Sequence, residues 1–206
     1  MNGAGKSSIG GAMVRASGCD YYNPDEAARL IIAANPRLSR PQANSLAWDK
    51  GRDLLERAIA TRQDFTFAST LGASTIPAML DKAADAGGRV HIWYVGLDSP
   101  ERHIARVRAR VKAGGHDISE ADIRRRYEAS RQNLVWLTPK LASLHIYDNS
   151  FEGDLVAGKA PRLKPVLHLE GGQIVGPEDL RTTPGWAKPL VARAMLVAVA
   201  RKRASR

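Results

Sequence analysis

The chain has 206 residues and one cysteine, Cys19, so it is long enough to bury a core and excludes an internal disulfide framework. Its 31 Lys and Arg exceed its 21 Asp and Glu, and the formal charge of +10 favours anionic partners, although without aromatics interleaved among basic residues nucleic acid is disfavoured. No apolar run reaches the about 20 residues of a membrane span and no secretory signal is present, so we expect a cytoplasmic protein with no membrane partner.

Helices and strands alternate along most of the chain. Asn23 suits a helix N-cap, Pro24 the first helical position, and Glu26 follows the cap by three residues. Residues 90–97 form a nearly unbroken apolar run, the type that a parallel sheet buries on both faces. The alternation predicts a doubly wound α/β core with a mostly parallel sheet. The predicted elements are helix 7–16, strand 19–22, helix 24–34, helix 45–61, strand 65–69, helix 75–86, strand 90–97, helix 100–112, a helix capped by Ser119, and strand 145–147.

The pattern changes after residue 150. Residues 166–169 and 173–175 flank Glu170-Gly171-Gly172, which predicts a β-hairpin. A closing helix is expected from about residue 189. We therefore predict two parts, a core over 1–151 and an accessory C-terminal hairpin and helix over 152–206.

The first residues, M-N-G-A-G-K-S-S, match the second half of the phosphate-loop pattern G-x-x-x-x-G-K-[ST]. In such a loop, backbone N–H groups converge on phosphate oxygens at a helix N-terminus. Lys6 would reach the β- and γ-phosphates of a nucleotide, and the Ser7 hydroxyl would ligate Mg²⁺. The alternative is an ordinary turn near a terminus. The predicted nucleotide-binding residues are Gly3, Ala4, Gly5, Lys6, Ser7 and Ser8.

Asp25 has two interpretations on sequence alone. It follows a predicted strand, where a kinase acting on a hydroxyl needs a carboxylate to take the acceptor's proton. A carboxylate in the first turn of a helix is also favoured by the helix dipole without any chemistry. Glu26 is the weaker candidate base because the capping role occupies it.

A basic segment over 102–131 contains the third candidate feature. Arg106 and Arg110 lie one helical turn apart, and 114–116, Gly-Gly-His, predicts a hinge before the next helix. Two such helices, about 102–134, would form a lid that brings arginines onto transferring phosphates and excludes water. A solvated charged surface is the alternative.

Six segments together resemble the zeta toxin family of P-loop kinases, in particular its chromosomal bacterial branch. They cover about residues 2–151. The resemblance implies a kinase that uses ATP and Mg²⁺ to phosphorylate the 3′-hydroxyl of the amino sugar in UDP-N-acetylglucosamine, and an antitoxin partner that masks the ATP site. In chain order the segments are N-G-A-G-K-S-S, Y-N-P-D-E-A-A-R, F-T-F-A-S-T-L, R-V-R-A-R-V-K-A-G-G-H-D-I, I-R-R-R-Y and Y-D-N-S.

The resemblance also assigns roles to individual positions. Asp25 matches the family's catalytic base, and Lys6 and Ser7 match its phosphate and Mg²⁺ residues. The resemblance places His116 and the nearby arginines in the lid but does not match them one by one. Among these residues we select Arg110 and Arg124 for catalysis and His116 as a candidate substrate contact.

The chain departs from the family in its strand motif. Where the family has F-x-F-E-[TS]-T-L, with a glutamate that contacts the sugar or supports the metal site, this chain has Ala68. A methyl group accepts no hydrogen bond and binds no metal. Ser69 and Thr70 are then the polar side chains that we expect to contact the substrate.

The second departure is the start of the chain. The leading glycine of the loop would precede Met1, and the strand before it, central in the order 2-3-1-4-5, has no counterpart. Its absence would leave neighbouring strands about 9.5 Å apart, and each buried unpaired backbone group costs about 1 to 3 kcal/mol. We therefore expect that the chain starts about ten residues late, by one strand and a turn.

The sequence thus predicts an ATP- and Mg²⁺-dependent kinase for a hydroxyl of a small sugar-containing substrate. Two alternatives stay open. One is a catalytically impaired nucleotide-binding module, suggested by Ala68 and the truncated loop. The other is a kinase for an antibiotic or another small metabolite.

Overall fold

A computed structural model of the chain describes residue 4 and residues 21–115, 117–151 and 163–204. They form two compact units, one of 21–69 and the other of Ala4 with 70–204. The elements are β1 (Tyr21–Tyr22), α1 (Pro24–Ala34), α2 (Arg40–Thr61), β2 (Thr66–Phe67), α3 (Thr75–Asp85), β3 (His91–Gly96), α4 (Pro100–Lys112), α5 (Glu120–Leu137), β4 (Ser143–Asp148), β5 (Lys164–Glu170), β6 (Gln173–Gly176) and α6 (Lys188–Ala204), with 3-10 turns at Thr138–Lys140 and Gly185–Ala187.

Two helices and a short parallel strand pair make up the smaller unit. Tyr21 pairs with Thr66 and Tyr22 with Phe67, so β1 and β2 are each two residues long. Helices α1 and α2 pack through the buried alanines Ala28, Ala43 and Ala47, whose small side chains allow the backbones a close approach.

Local capping defines the helix starts in this unit. The Asn23 side chain accepts a hydrogen bond from the Asp25 N–H, and Pro24 occupies the first turn, which confirms the predicted N-terminus of α1. Helix α2 begins at Arg40, five residues before the predicted start at Ser45. Ser39 and Gln42 form a capping box there, which satisfies backbone N–H groups of the first turn.

The larger unit is built on a four-stranded sheet in the order β3-β4-β5-β6. Strands β3 and β4 are parallel, and β5 and β6 continue the sheet antiparallel. The predicted hairpin is confirmed, with Gly171 and Gly172 both at positive φ in its two-residue turn. The mixed α/β class is thus confirmed, but the strands of the described residues lie in two sheets and the larger one is mixed.

The buried face of this sheet is a stripe of aliphatic residues in register. Leu144 of β4 lies between Ile92 of β3 and Leu169 of β5, and Ile146 lies opposite Leu167. Helix α5 and the C-terminal segment cover this face. The Tyr94 hydroxyl lies 3.1 Å from the Ser130 hydroxyl, and the Trp186 ring lies 6.2 Å from that of Tyr94.

The expectation that 90–97 is buried on both faces holds at Val95, which is 6% exposed, and is wrong at His91 and Trp93. Trp93 is 45% exposed, because the helices that pack on β3 cover the side carrying Ile92 and Tyr94. On the opposite face, Trp93 stacks on His145 at 5.5 Å, and His145 stacks on His168 at 3.9 Å. A row of rings from three adjacent strands therefore occupies the middle of this face, beside the buried Val95.

Within the described ranges, no helix combines the length and the apolar composition needed to cross a bilayer. The cytoplasmic compartment remains a prediction.

Candidate functional site

The carboxyl ends of β3 and β4 form a hydrogen-bonded junction in the larger unit. Asn149, directly after β4, donates its backbone N–H to the Gly96 carbonyl at 3.0 Å. Its side-chain amide donates to the Ala4 carbonyl at 2.9 Å. Ala4 is fully buried and Asn149 is 8% exposed. The described residue of the predicted phosphate loop is therefore fixed at the strand ends, where open α/β sheets bind their ligands.

Asp98, just after β3, continues this junction toward α4. Its carboxylate accepts two hydrogen bonds from Arg102, at 2.8 and 2.9 Å, and its backbone N–H donates to the Ser150 hydroxyl at 2.8 Å. Tyr127 of α5 donates its hydroxyl to the Asp98 carbonyl at 3.2 Å. The Arg102 guanidinium holds the pKa of the Asp98 carboxyl below its usual value, so the carboxylate stays charged.

Arg106 joins α4 to the same junction. Its guanidinium donates to the Asn149 carbonyl at 2.7 Å. Asn149 is thus bonded through its amide, its backbone N–H and its carbonyl, to three separate segments of the chain. This arrangement restrains the position of the residue that holds Ala4.

In the smaller unit, two candidate residues follow the ends of the parallel strands β1 and β2. The Ala68 N–H donates to the Tyr22 carbonyl at 2.9 Å, so the pairing extends one step beyond β2. Asp25 and Ser69 therefore follow strands that end at the same edge of this pair. Asp25 is exposed in the first turn of α1, and Glu26 accepts a 3.1 Å hydrogen bond from the Asn23 side chain, as expected for a capping residue.

Ala68 is buried, with 6% of its surface exposed. Its methyl group occupies the position where the resemblance expects a glutamate. Thr70 lies in the larger unit, where its hydroxyl accepts a hydrogen bond from the Gly72 N–H at 3.3 Å. Ser69 and Thr70 remain predicted substrate contacts.

Helices α4 and α5 pack together through Ile104, Val107 and Ile123. Across their surface Arg124 forms a 2.5 Å ion pair with Glu101, in which both side chains are exposed, and Arg108 pairs with Glu120. Arg124 lowers the pKa of Glu101 through this hydrogen bond. To act on a phosphate, as predicted, Arg124 would have to leave Glu101.

The glycines after α4 close the helix. Gly114 has φ of +82°, and the Gly115 N–H donates to the Arg110 carbonyl at 2.8 Å, as in a Schellman-type cap. A Cβ on Gly115 would lie 2.5 Å from Cγ of Arg110, so this turn also fits closely against the Arg110 side chain. The hinge and the catalytic role of Arg110 stay predictions.

The other predicted residues lie outside the described part of the chain. They are Gly3, Gly5, Lys6, Ser7, Ser8 and His116. Among the residues that the structure does describe, no three His, Cys, Asp or Glu side chains are grouped so as to hold a metal ion. Ser7 therefore stays the predicted Mg²⁺ ligand.

Sequence reasoning missed the residues that form the junction. Asp98 was not singled out, Tyr127 and Asn149 stood in the segments I-R-R-R-Y and Y-D-N-S without a role, and Arg106 was noted only for its helical face. One signal was present, since Asp98 and Asn149 follow the predicted strands 90–97 and 145–147, and polar residues at such positions often face a ligand. The pairing of Asn149 with Ala4 had no sequence signal.

Comparison with known proteins identifies a relative. Over 130 residues, which are 61% of this chain and 86% of the relative, the chain is 34% identical to an uncharacterized protein of Haemophilus influenzae. No protein-family model matches the chain, and no solved structure matches it. Because the aligned region spans most of the relative, the chain belongs to the same family as this Haemophilus influenzae protein.

Proposed function

We propose that the protein is an ATP-dependent kinase that transfers the γ-phosphate to a hydroxyl of a small sugar-containing molecule, plausibly a nucleotide sugar such as UDP-N-acetylglucosamine. The observation that carries the proposal is the 2.9 Å hydrogen bond from Asn149 to the Ala4 carbonyl. It fixes Ala4, the described residue of the N-G-A-G-K-S segment, beside the ends of β3 and β4, which supports a phosphate loop at that edge of the sheet. The P-loop kinase fold, with its doubly wound sheet and helical lid, is part of this proposal.

The residues of the segment suit Mg²⁺-ATP by their chemistry. An ammonium group and backbone N–H groups bind phosphate oxygens, and a serine hydroxyl is an oxygen ligand of the kind that Mg²⁺ prefers. Lys6 and the amides of 3–8 would hold the nucleotide, and Ser7 would hold the metal ion. The bound ion supplies charge neutralisation at the transferring phosphate.

Proton removal from the acceptor is assigned to Asp25. Its carboxylate is exposed to solvent just after β1, while the cap at Asn23 holds its backbone and leaves the side chain oxygens out of the helix. A carboxylate at this position would accept the proton of the acceptor hydroxyl as phosphorus approaches the oxygen. Arginines of α4 and α5, Arg110 and Arg124, would balance the negative charge that develops on the phosphoryl group.

The test measures ATP consumption by the purified protein with a panel of nucleotide sugars, amino sugars and hydroxyl-bearing antibiotics. We expect turnover with at least one acceptor, and a loss of about 10² to 10⁴-fold in Asp25→Asn, the usual contribution of a general base. Asp53→Asn is the matched control, because Asp53 is an exposed helical carboxylate in the same unit, and it should keep the parent activity. Equal activity of Asp25→Asn and the parent would remove Asp25 from the mechanism.

Ala68 favours a second candidate, a nucleotide-binding module without catalysis. Its buried methyl group can neither bind a metal ion nor accept a hydrogen bond from a sugar. Calorimetry with ATP separates the two functions. Nucleotide binding without turnover of any acceptor would support the module, and an absence of binding would exclude both.

A further inference from the structure

The backbone at Leu71 adopts a conformation that its side chain disfavours. Leu71 is 7% exposed and has φ of +52°, in the left-handed region, where a non-glycine residue carries a steric cost. It follows Thr70, a predicted substrate contact, in a loop over 70–73 that leads into α3. Such a conformation persists when the surroundings determine it, and it is concentrated at functional sites.

Helix α5 supplies the surroundings that hold this loop. The Asn133 side-chain amide donates to the Leu71 carbonyl at 2.7 Å and to the Ala73 carbonyl at 3.1 Å. Because both acceptors are carbonyl oxygens, only the N–H₂ end of the amide can face them. Two turns earlier on the same helix, Arg126 packs on Gly72, where an added Cβ would lie 2.8 Å from two Arg126 carbons. The loop is therefore bonded on both sides of Gly72, at Leu71 and at Ala73, and has no space for a side chain at Gly72.

The loop in turn orients the Thr70 hydroxyl. Its oxygen accepts the Gly72 N–H at 3.3 Å, a bond that requires the turn at Leu71. A hydroxyl that accepts this bond still carries its own O–H donor and a second lone pair. Because Thr70 is a predicted substrate contact, the direction of its hydroxyl is a feature that a hydroxyl-bearing acceptor can recognise.

We infer that Asn133 is a positioning residue for the acceptor. It holds Leu71 in its left-handed conformation and thereby sets the direction of the Thr70 hydroxyl. This inference rests on the proposed kinase function for its catalytic consequence. The contacts of Asn133 with the loop do not depend on that function. The substrate class is a phosphoryl acceptor, such as a sugar, that carries a second hydroxyl or another hydrogen-bonding oxygen close to its reacting group.

The experiment compares Asn133→Asp with the parent, with Gln132→Ala on the exposed side of α5 as the control. A carboxylate at 133 has the same shape but presents oxygens to two carbonyl oxygens and donates to neither. We expect the KM for the acceptor to rise at least tenfold, with the KM for ATP unchanged. An unchanged acceptor KM, or an equal rise in both KM values, would overturn the inference.

A rescue variant separates positioning from general damage. Glycine adopts positive φ without steric cost, so Leu71→Gly should restore part of the acceptor KM in an Asn133→Ala background. A merely structural role of Asn133 predicts further loss instead, because Leu71→Gly removes a buried side chain. Further loss in the double variant would therefore also overturn the inference.

Hydrogen exchange tests the positioning role of Asn133 without any enzyme assay. If the parent protein turns over no acceptor, the proposed kinase function fails, but this test of Asn133 still applies. The Gly72 amide is bonded to Thr70 only while the turn is intact. We expect its exchange to be at least tenfold faster in Asn133→Asp than in the parent and in Gln132→Ala. Equal exchange in all three proteins would show that Asn133 does not hold the loop.

Discussion

Among the described residues, the two parallel strand pairs differ in the extent of their pairing. In the larger unit β3 and β4 pair over six residues, and β5 and β6 widen the sheet. In the smaller unit β1 and β2 pair over two, although Phe65-Thr66-Phe67-Ala68-Ser69 has the composition of a full strand. A composition typical of a strand is therefore not sufficient, because Phe65 and Ser69 lie outside β2 in spite of it.

The end of β1 has a local cause. Asn23 caps α1 and Pro24 lacks a backbone N–H, so the chain must turn into the helix directly after Tyr22. The stability of the smaller unit then depends on helix packing. Tyr22 donates its hydroxyl to the Ala47 carbonyl at 2.5 Å, which joins β1 to α2.

The largest expected difference between the units concerns the sheet core. Leu144 is fully buried between β3 and β5, so Leu144→Ala should lower the free energy of unfolding by about 2 to 5 kcal/mol, from lost burial and the cavity left behind. Urea denaturation followed by circular dichroism measures the change.

The matched control is the same substitution in the smaller unit. Leu46 on α2 is 49% exposed, so Leu46→Ala should change the free energy of unfolding by no more than about 0.5 kcal/mol. Losses of similar size for the two leucines would mean that the apolar core is not concentrated in the four-stranded sheet.

Sequence reasoning succeeded where the cause was local. The Asn23-Pro24 start of α1, the Ser119 cap and the Gly171-Gly172 turn are each set by a few neighbouring residues. It failed where the cause was distant along the chain. Trp93 was expected to be buried because an apolar run does not tell which face the helices cover.

The same limit applies to the candidate site. The phosphate-loop motif and Asp25 could be selected because their chemistry is written in short segments. Asn149 and Ala4 are 145 positions apart, and no periodicity or spacing connects them. Asn133 was missed for the same reason, since its partners are carbonyl groups of a loop more than 60 positions earlier, not side chains of a motif.

A change of intermediate size tests the helix packing of the smaller unit. Gly51 of α2 lies under the Tyr22 ring, and a Cβ there would be 2.6 Å from Cε1 of that ring. Gly51→Ala should therefore lower the free energy of unfolding by about 1 to 3 kcal/mol, because the ring must move from its contact with Ala47.

In a variant that lacks the Tyr22 ring, Gly51→Ala should have the opposite effect on the free energy of unfolding. In Tyr22→Ala, the Gly51→Ala change meets no clash and should stabilise the protein by about 0.5 to 1 kcal/mol, since alanine is the better helix former. Both backgrounds are measured by urea denaturation. If Gly51→Ala has the same sign in each, the ring does not determine the packing at this position.

The smallest expected effect is a pH dependence confined to the larger unit, because none of the five histidines lies in 21–69. His145 lies between Trp93 and His168 on the open face of the sheet. Burial holds the pKa of His145 below its ordinary value of 6.5, and the charge of His168 and His91 lowers it further, while Glu170 acts in the opposite direction.

A depressed pKa means that the unfolded chain binds this proton more readily than the folded protein. The contribution to stability is therefore complete above pH 6.5 and is lost as the pH falls from there through the folded-state pKa.

His145→Phe keeps a ring at this position but removes its titrating imidazole, so its loss of stability between about pH 7.5 and pH 5 should be smaller than that of the parent. Trp93→Phe, which keeps both imidazoles, should lose stability with the parent's slope in urea denaturation at a series of pH values. An unchanged slope in His145→Phe would assign the acid sensitivity of the larger unit to groups other than His145.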